Sequence, residues 1–279
     1  MTQSIGVISY CDRIRTLATA NHELYARDNG YTYIFDIAPT ANKRFLAKVE
    51  KVGKFLPLFD WVFWLDDDAF IMKRDVRLET FIEQSPEATL IVCESPVNEG
   101  KWTWLSSGNF LLRNTPDAAR LLADVIATDL DVVEAWWDPA LYGYFTRGDQ
   151  DAFVYQLNTN PRYGDGFVAR LPFDAFNARP FHFTDAPDEH FLVHFTGGEK
   201  GRQARLFGDR FGLTEALVPE EELRGLMGVY SPPPPPPAVP AASPAPTPAS
   251  TQPAPAGPAS AEPESGTSRR LRDRVFGRR

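Results

Sequence analysis

Three consecutive carboxylates, Asp66-Asp67-Asp68, follow directly on five apolar residues, Trp61-Val62-Phe63-Trp64-Leu65. On an extended chain, side chains two apart share a side and the middle one turns away. Asp66 and Asp68 therefore converge, and Asp67 diverges. Two converging carboxylates repel when both are ionised. A hard divalent cation with oxygen ligands, Mn²⁺ or Mg²⁺, relieves that repulsion and leaves coordination positions for phosphate oxygens. A lone D-x-D is also what a solvated acidic turn looks like. The apolar run before it, and Ala69-Phe70-Ile71-Met72 after it, favour a built site.

The elements that must position these acids follow from the apolar pattern. A run of five apolar residues bounded by polar ones reads as a fully buried strand. Ligands of open α/β sheets bind beyond the carboxyl ends of such strands. Before it, Ile5 to Tyr10 reads as a first strand and residues 13–29 as a helix, with Asp12 as cap and Gly30 as stop. Residues 31–37 read as a second strand and 42–56 as a second helix. This alternation predicts an α/β fold: a mixed, mainly parallel sheet with helices on both faces. The second half predicts strands at 89–93 and 110–112, then a helix with Thr115 as cap and Pro116 in its first turn. A helix at 149–157, a strand at 191–195 ending in Thr196-Gly197-Gly198, and a closing segment at 214–225 complete the pattern.

Composition divides the chain. Residues 231–264 hold fourteen of the 25 prolines and no aromatic residue, Ile, Leu or Met. Such a stretch buries too little apolar surface to offset its ordering entropy. The expected organisation is a folded domain at 1–230, a disordered Pro/Ala-rich linker at 231–268 and a basic tail at 269–279. After Tyr230, six Arg against three acids leave +3, so the first 230 residues carry −11 of the total −8. That acidity argues against nucleic acid as a partner. Leu271 and Val275 share a face among the tail arginines. The tail is thus either a weak contact for an anionic membrane surface or a solvated extension. No 18-residue apolar run and no basic leader are present, and Cys11 and Cys93 form no C-x-x-C pair. The expected location is a reducing cytoplasm, with peripheral contact at the inner face of the membrane if the tail binds there.

Further segments fall into one pattern with the acids. In order they are Asn21-His22-Glu23-Leu24-Tyr25-Ala26, then Asn29-Gly30-Tyr31, Lys48, and Asp66-Asp67-Asp68. Ser107-Gly108-Asn109-Phe110-Leu111-Leu112-Arg113-Asn114, Asp149-Gln150 and His194-Phe195-Thr196-Gly197 follow. Over residues 5–200 this resembles the galactosyl transferase family of fungal α-galactosyl- and mannosyltransferases and plant xyloglucan α-xylosyltransferases. The resemblance implies the A-type (GT-A, Rossmann-like) nucleotide-diphospho-sugar transferase fold, a UDP-sugar donor, Mn²⁺, a glycan or other hydroxyl acceptor, and retention of anomeric configuration. It implies Asp66, Asp68 and His194 as metal ligands, with Asp66 also at the ribose or diphosphate. Asn21, Tyr25, Lys48, Ser107, Gly108, Asn109 and Lys200 would line the nucleotide site, and Asp149 and Gln150 would flank the sugar. The chain departs from the family pattern at Gly148, where an acid often precedes the first acid-amide pair, and at Glu199-Lys200. The donor sugar is left open.

The implied chemistry is sound in itself. Loss of a nucleoside diphosphate needs charge neutralisation at the leaving group, and the sugar's oxocarbenium character needs nearby acceptors such as Asp149 and Gln150. Front-side attack is favoured, because only Asp149 is an evident nucleophile for a double displacement. Trp102, Trp104, Trp136 and Trp137 are candidates for stacking on sugar rings, or for core packing. The rival readings are a metal-dependent nucleotide-sugar hydrolase or phosphatase, and an inactive nucleotide-sugar-binding protein.

Overall fold

The computed structural model of the protein describes residues 3–41 and 45–229. The start of the second helix at 42–44, the linker at 231–268 and the basic tail at 269–279 lie outside the described residues. The strands, in chain order, are β1 (Ile5–Tyr10), β2 (Thr32–Asp36), β3 (Trp61–Leu65), β4 (Ala69–Ile71), β5 (Leu90–Cys93), β6 (Ser106–Arg113), β7 (Val168–Leu171) and β8 (Leu192–His194). The main sheet has the order β2-β1-β3-β6-β5-β7, and β4 pairs with β8 in a small second sheet. Within the main sheet β6 alone runs against its neighbours. The sheet is therefore mixed and mainly parallel, as the alternation of elements predicts.

The helices are α1 (Ala18–Asn29), α2 (Leu46–Phe55), α3 (Glu79–Gln84), α4 (Pro116–Ala127), α5 (Leu130–Trp136), α6 (Pro139–Tyr142), α7 (Asp149–Thr159), α8 (Phe173–Phe176), α9 (Lys200–Phe211) and α10 (Glu220–Val229). Alternate strand residues point to opposite faces. Ile8, Val62, Trp64, Val92, Phe110 and Leu112 pack on Val49 and Val52 of α2, Leu121 and Val125 of α4, and Phe153 of α7. Val7, Trp61, Phe63, Leu65, Ile91 and Leu111 pack on Tyr25 of α1, Phe81 and Ile82 of α3, and Phe176 of α8. Every residue of β3 is buried, because both faces are covered. At about 25 cal/mol per Å², burying each such large side chain stabilises the fold by roughly 1.5–3 kcal/mol.

Two boundaries differ from the sequence pattern for physical reasons. The first helix begins at Ala18, not at 13. Arg15 donates to Asp12 at 2.8 Å, and the Thr16 hydroxyl donates to the Asp67 carbonyl. Those contacts draw residues 12–17 toward the acidic turn and keep them from winding. The strand expected at 110–112 runs from Ser106 to Arg113 and takes in Ser107-Gly108-Asn109, where Asn109 pairs with Leu65 in antiparallel register. The helix at Thr115 starts as expected: the Thr115 hydroxyl accepts from Ala118 N at 3.0 Å.

Candidate functional site

Register brings the site together. Antiparallel pairing of β6 with β3 sets Gly108 beside Asp66, whose N–H donates to the Gly108 carbonyl at 2.9 Å. Pairing of β4 with β8 sets His194 opposite Ala69, and Phe195 N–H donates to the Asp68 carbonyl at 2.9 Å. The carboxyl end of β3 thus meets the carboxyl end of β8 at the floor of a cleft of about 660 Å³.

On this floor, one ligand atom from each of Asp66, Asp68 and His194 falls within 4.8 Å of the others. Asp68 and His194 are buried. The His194 tautomer is set from behind. Asn177 Nδ2 donates to the Glu94 carbonyl at 2.9 Å, so its Oδ1 is the acceptor, 3.0 Å from His194 Nδ1. His194 Nδ1 therefore carries the proton, and Nε2 offers a lone pair. That Nε2 lies 3.3 Å from Asp68 Oδ1, a buried oxygen with no hydrogen-bond partner. Two acceptor atoms face each other with nothing to bridge them, an arrangement a divalent cation resolves. Two carboxylates and an imidazole could together hold a divalent cation, and the Asn177 contact is the kind that orients a metal-binding imidazole.

Burial lowers the His194 pKa and keeps the ring neutral, against the pull of Asp68. Burial alone would raise the Asp68 pKa; the Lys200 ammonium, which pairs with its other oxygen, opposes that and keeps the carboxyl low. Asp67 turns away, 3.8 Å from Arg15. Burial, then the neighbouring Asp68 and Asp66, push its carboxyl up to about 6. Gly108 makes the closeness possible. A β-carbon there would fall 3.0 Å from His194 Nε2 and 3.2 Å from Asp66 Oδ2.

The other wall is built by α2 and the start of α7. Lys48 Nζ lies 3.1 Å from Asp149 Oδ2 and 3.5 Å from Asp66 Oδ1, and donates to the Ser107 carbonyl at 3.0 Å. Burial would lower the Lys48 pKa, but Asp149 and Asp66 raise it above the usual lysine value. Burial raises the Asp149 pKa, with Lys48 opposing. Asp149 opens α7, where the positive end of the helix dipole favours a carboxylate. Gln150 Oε1 accepts from Ser107 N–H at 3.3 Å and lines the cleft. The Gly148 backbone is extended, and a β-carbon there would meet the Phe45 ring at 3.2 Å, so a second acid would crowd Phe45.

Of the residues singled out in the sequence, the structure gathers Lys48, Asp66, Asp68, Ser107, Gly108, Asp149, Gln150, His194 and Lys200 around the cleft. It does not bring Asn21, Tyr25 or Asn109 to its surface. Asn21 is buried and clasps the backbone of β4, donating to the Ile71 carbonyl at 2.9 Å and accepting from Ile71 N–H at 2.7 Å. Tyr25 is buried and donates to the Val76 carbonyl at 2.9 Å. Both satisfy polar groups of the chain after the acids and lie away from the cleft surface, where a nucleotide contact was expected. Asn109 stands behind His194, its Nδ2 3.4 Å from the Phe176 carbonyl. Of the four tryptophans, Trp102 lines the cleft. Trp104 is capped by Arg170 at 4.6 Å, and Trp136 and Trp137 pack with Tyr142.

Three site residues lay outside the sequence reading: Trp64, whose Nε1 donates to Asp66 Oδ1 at 2.8 Å, Asn177 and Arg179. Asn177 and Arg179 are polar residues set among Phe176, Ala178, Pro180 and Phe181. That interruption was the signal available.

No family model and no curated protein matches the chain. Among solved structures, it is similar to a glycosyltransferase involved in glycosylation of the major capsid of PBCV-1. That match has TM-score 0.54 and 16% identity, and covers 72% of this chain and 99% of that one. Slighter likenesses are to glycosyltransferase GlyE of Streptococcus pneumoniae TIGR4 (TM-score 0.46, 12% identity, covering 82% and 65%) and to the bifunctional WbbM (TM-score 0.42, 10% identity, covering 71% and 46%). The fold is that of GT-A-like nucleotide-sugar transferases. The motif resemblance to the fungal and plant family rests on the motifs alone.

Proposed function

We propose that this chain is a metal-dependent glycosyltransferase that moves a sugar from a UDP-sugar to a hydroxyl acceptor with retention of anomeric configuration. The observation that carries this reading is the buried pair of acceptors, Asp68 Oδ1 and His194 Nε2, 3.3 Å apart at two strand ends beside Asp66. When bound there, Mn²⁺ or Mg²⁺ would act as a Lewis acid on a leaving diphosphate. The chain's own residues do the rest. Lys200 holds Asp68 anionic and offers a second positive charge for phosphate. Lys48 holds Asp149 against its burial, so that carboxylate and the Gln150 amide face a sugar whose positive character grows as the glycosidic bond breaks. The ion pair with Lys48 ties up Asp149, which favours front-side attack over a double displacement, the leaving phosphate oxygen taking the acceptor's proton.

The test is thermal denaturation with UDP, Mn²⁺ and both, followed by incubation with UDP-sugars and NMR of the released or transferred sugar. Stabilisation by UDP only with Mn²⁺, and an α-product from an α-donor, are expected. Sugar release without transfer to any acceptor supports the hydrolase reading instead. No helix among the described residues is long and apolar enough to cross a membrane. The tail at 269–279 is proposed as a weak, salt-sensitive anchor to anionic membrane, at about 1 kcal/mol per Arg. Equal sedimentation with anionic vesicles by the full chain and a chain ending at Tyr230 would refute that.

A further inference from the structure

Arg179 is a buried cation without an acidic partner. It is 5% exposed. The other buried cations are paired: Lys51 with Asp36 at 3.1 Å, and Lys48 with Asp149 at 3.1 Å. Among the described residues no carboxylate lies within ion-pair distance of Arg179, and Asp68 attracts it from further off. Burial lowers its pKa to about 10, so it stays charged near neutrality. An unpaired buried charge is expensive to keep.

Its protein contacts use only part of its donor set. Nη1 donates to the Asn177 carbonyl at 2.9 Å and to Asn177 Oδ1 at 2.7 Å. A guanidinium has five N–H donors, so three remain on Nε and Nη2. No nitrogen of Arg179 is both enclosed and unbonded, and the residue lines the cleft. The free edge therefore opens on the cleft, whose lining also includes Ser95, Thr103, Thr196 and Gln203 along with Asp68 and Lys200. Such an edge matches a carboxylate or phosphate with two parallel hydrogen bonds. The donor's diphosphate already has Lys200 and the Asp66-Asp68-His194 cation site to neutralise it.

We infer that Arg179 receives a second anionic group, a carboxylate or phosphate carried by one of the substrates in addition to the donor's diphosphate. This rests on the reading of the cleft as a UDP-sugar site. The group has two possible carriers: a uronic-acid donor sugar, or an acceptor bearing phosphate.

Calorimetry on the full chain with Mn²⁺ separates them. The donor arm compares UDP-glucuronate and UDP-galacturonate with UDP-glucose and UDP-galactose. The acceptor arm titrates glucose 6-phosphate and glycerol 3-phosphate, against glucose and glycerol, into protein saturated with Mn²⁺ and UDP. In one arm the anionic probe binds at least about tenfold more tightly than its neutral counterpart, the scale of one charge-assisted pair. Arg179→Gln, whose amide can still donate to Asn177, erases that preference and leaves UDP affinity within about threefold of wild type. Arg179→Lys keeps the charge without the fork and retains part of the preference, which decides the matter if the Gln variant does not fold. No anionic preference in either arm of the wild type overturns the inference. So does a preference that survives both substitutions, or a loss of UDP affinity as large as the loss for the anionic probe, which would assign Arg179 to the diphosphate. Absence of Mn²⁺-dependent UDP binding in the wild type would instead remove the functional reading itself.

Discussion

On the Lys48 wall of the cleft, the buried charges have their counter-charges within the protein. Lys48 answers both Asp149 and Asp66 at 3.1 and 3.5 Å. On the Asp68 wall, a buried carboxylate oxygen and an imidazole lone pair face each other at 3.3 Å with no donor between them. The first wall is completed by folding alone. The second has Lys200 on one Asp68 oxygen but leaves the other oxygen and the imidazole nitrogen unbridged, a gap that a divalent cation could fill. The same fold thus holds a finished ion network and an unfinished one within a single cleft. Removing metal should loosen the second and leave the first.

The largest expected effect breaks the unfinished wall. Asp68→Ala and His194→Ala should each abolish the Mn²⁺-dependent stabilisation by UDP, about 2.7 kcal/mol when ligand stands at about 100 times its Kd. Thermal melts with and without Mn²⁺ check this, and an undiminished shift in both variants removes the metal site. Next comes the finished wall. Asp149→Asn should keep UDP affinity and lower turnover by a factor on the order of 10², the scale of one lost electrostatic stabiliser. Equal loss of affinity and turnover would move Asp149 to the nucleotide.

A milder change tests how the unfinished wall is held open. Asn177→Ala removes the acceptor that fixes the His194 tautomer, and Mn²⁺ affinity should fall roughly 10–100-fold, the usual scale for such a partner. Unchanged affinity by titration calorimetry would mean that packing alone orients the ring. A control histidine tests the contrast from outside the cleft. His22 is buried with both nitrogens satisfied, by Ser9 Oγ at 2.8 Å and the Ala69 carbonyl at 2.7 Å. Burial lowers its pKa to about 4. The unfolded chain takes a proton near the ordinary histidine value while the native ring does not. The stability this neutral ring supplies is therefore present above about pH 6.5 and lost as pH falls toward 4, by about 1.4 kcal/mol per unit. His22→Gln should flatten that part of the stability curve, measured by urea unfolding at stepped pH, and Mn²⁺ should not alter the difference. An unchanged slope would mean that His22 is protonated in the native protein.

Legibility in the sequence tracked element length and the location of partners. β3 and its acids were readable because five contiguous apolar residues and three carboxylates leave few alternatives. α4 was readable from Thr115 and Pro116. β8 was readable from the apolar run 191–195, but β4, of three residues, is too short for alternation to register, and so the pairing that delivers His194 to Asp68 was not readable. Spacing showed that Asn21 and Tyr25 share a helix face. It could not show that the opposing surface is the backbone of β4 and Val76, because that pairing exists only in three dimensions. Arg179 and Asn177 were missed for the same reason: their partners, His194 and the cleft, are assembled by the fold.

β6 runs against every neighbour in its sheet, so it offers its beginning, rather than its end, to the cleft. The chain that walls the cleft on this side, with Ser95, Trp102 and Thr103, arrives before the strand does. It includes a tight reversal where Asn98 bridges Lys101 and Glu99 and Gly100 take positive φ, 50 and 75°. Lengthening or recomposing that excursion leaves β3, Gly108 and the acids where they are. The cleft wall upstream of the strand can thus vary in length and composition as a separate segment from its floor.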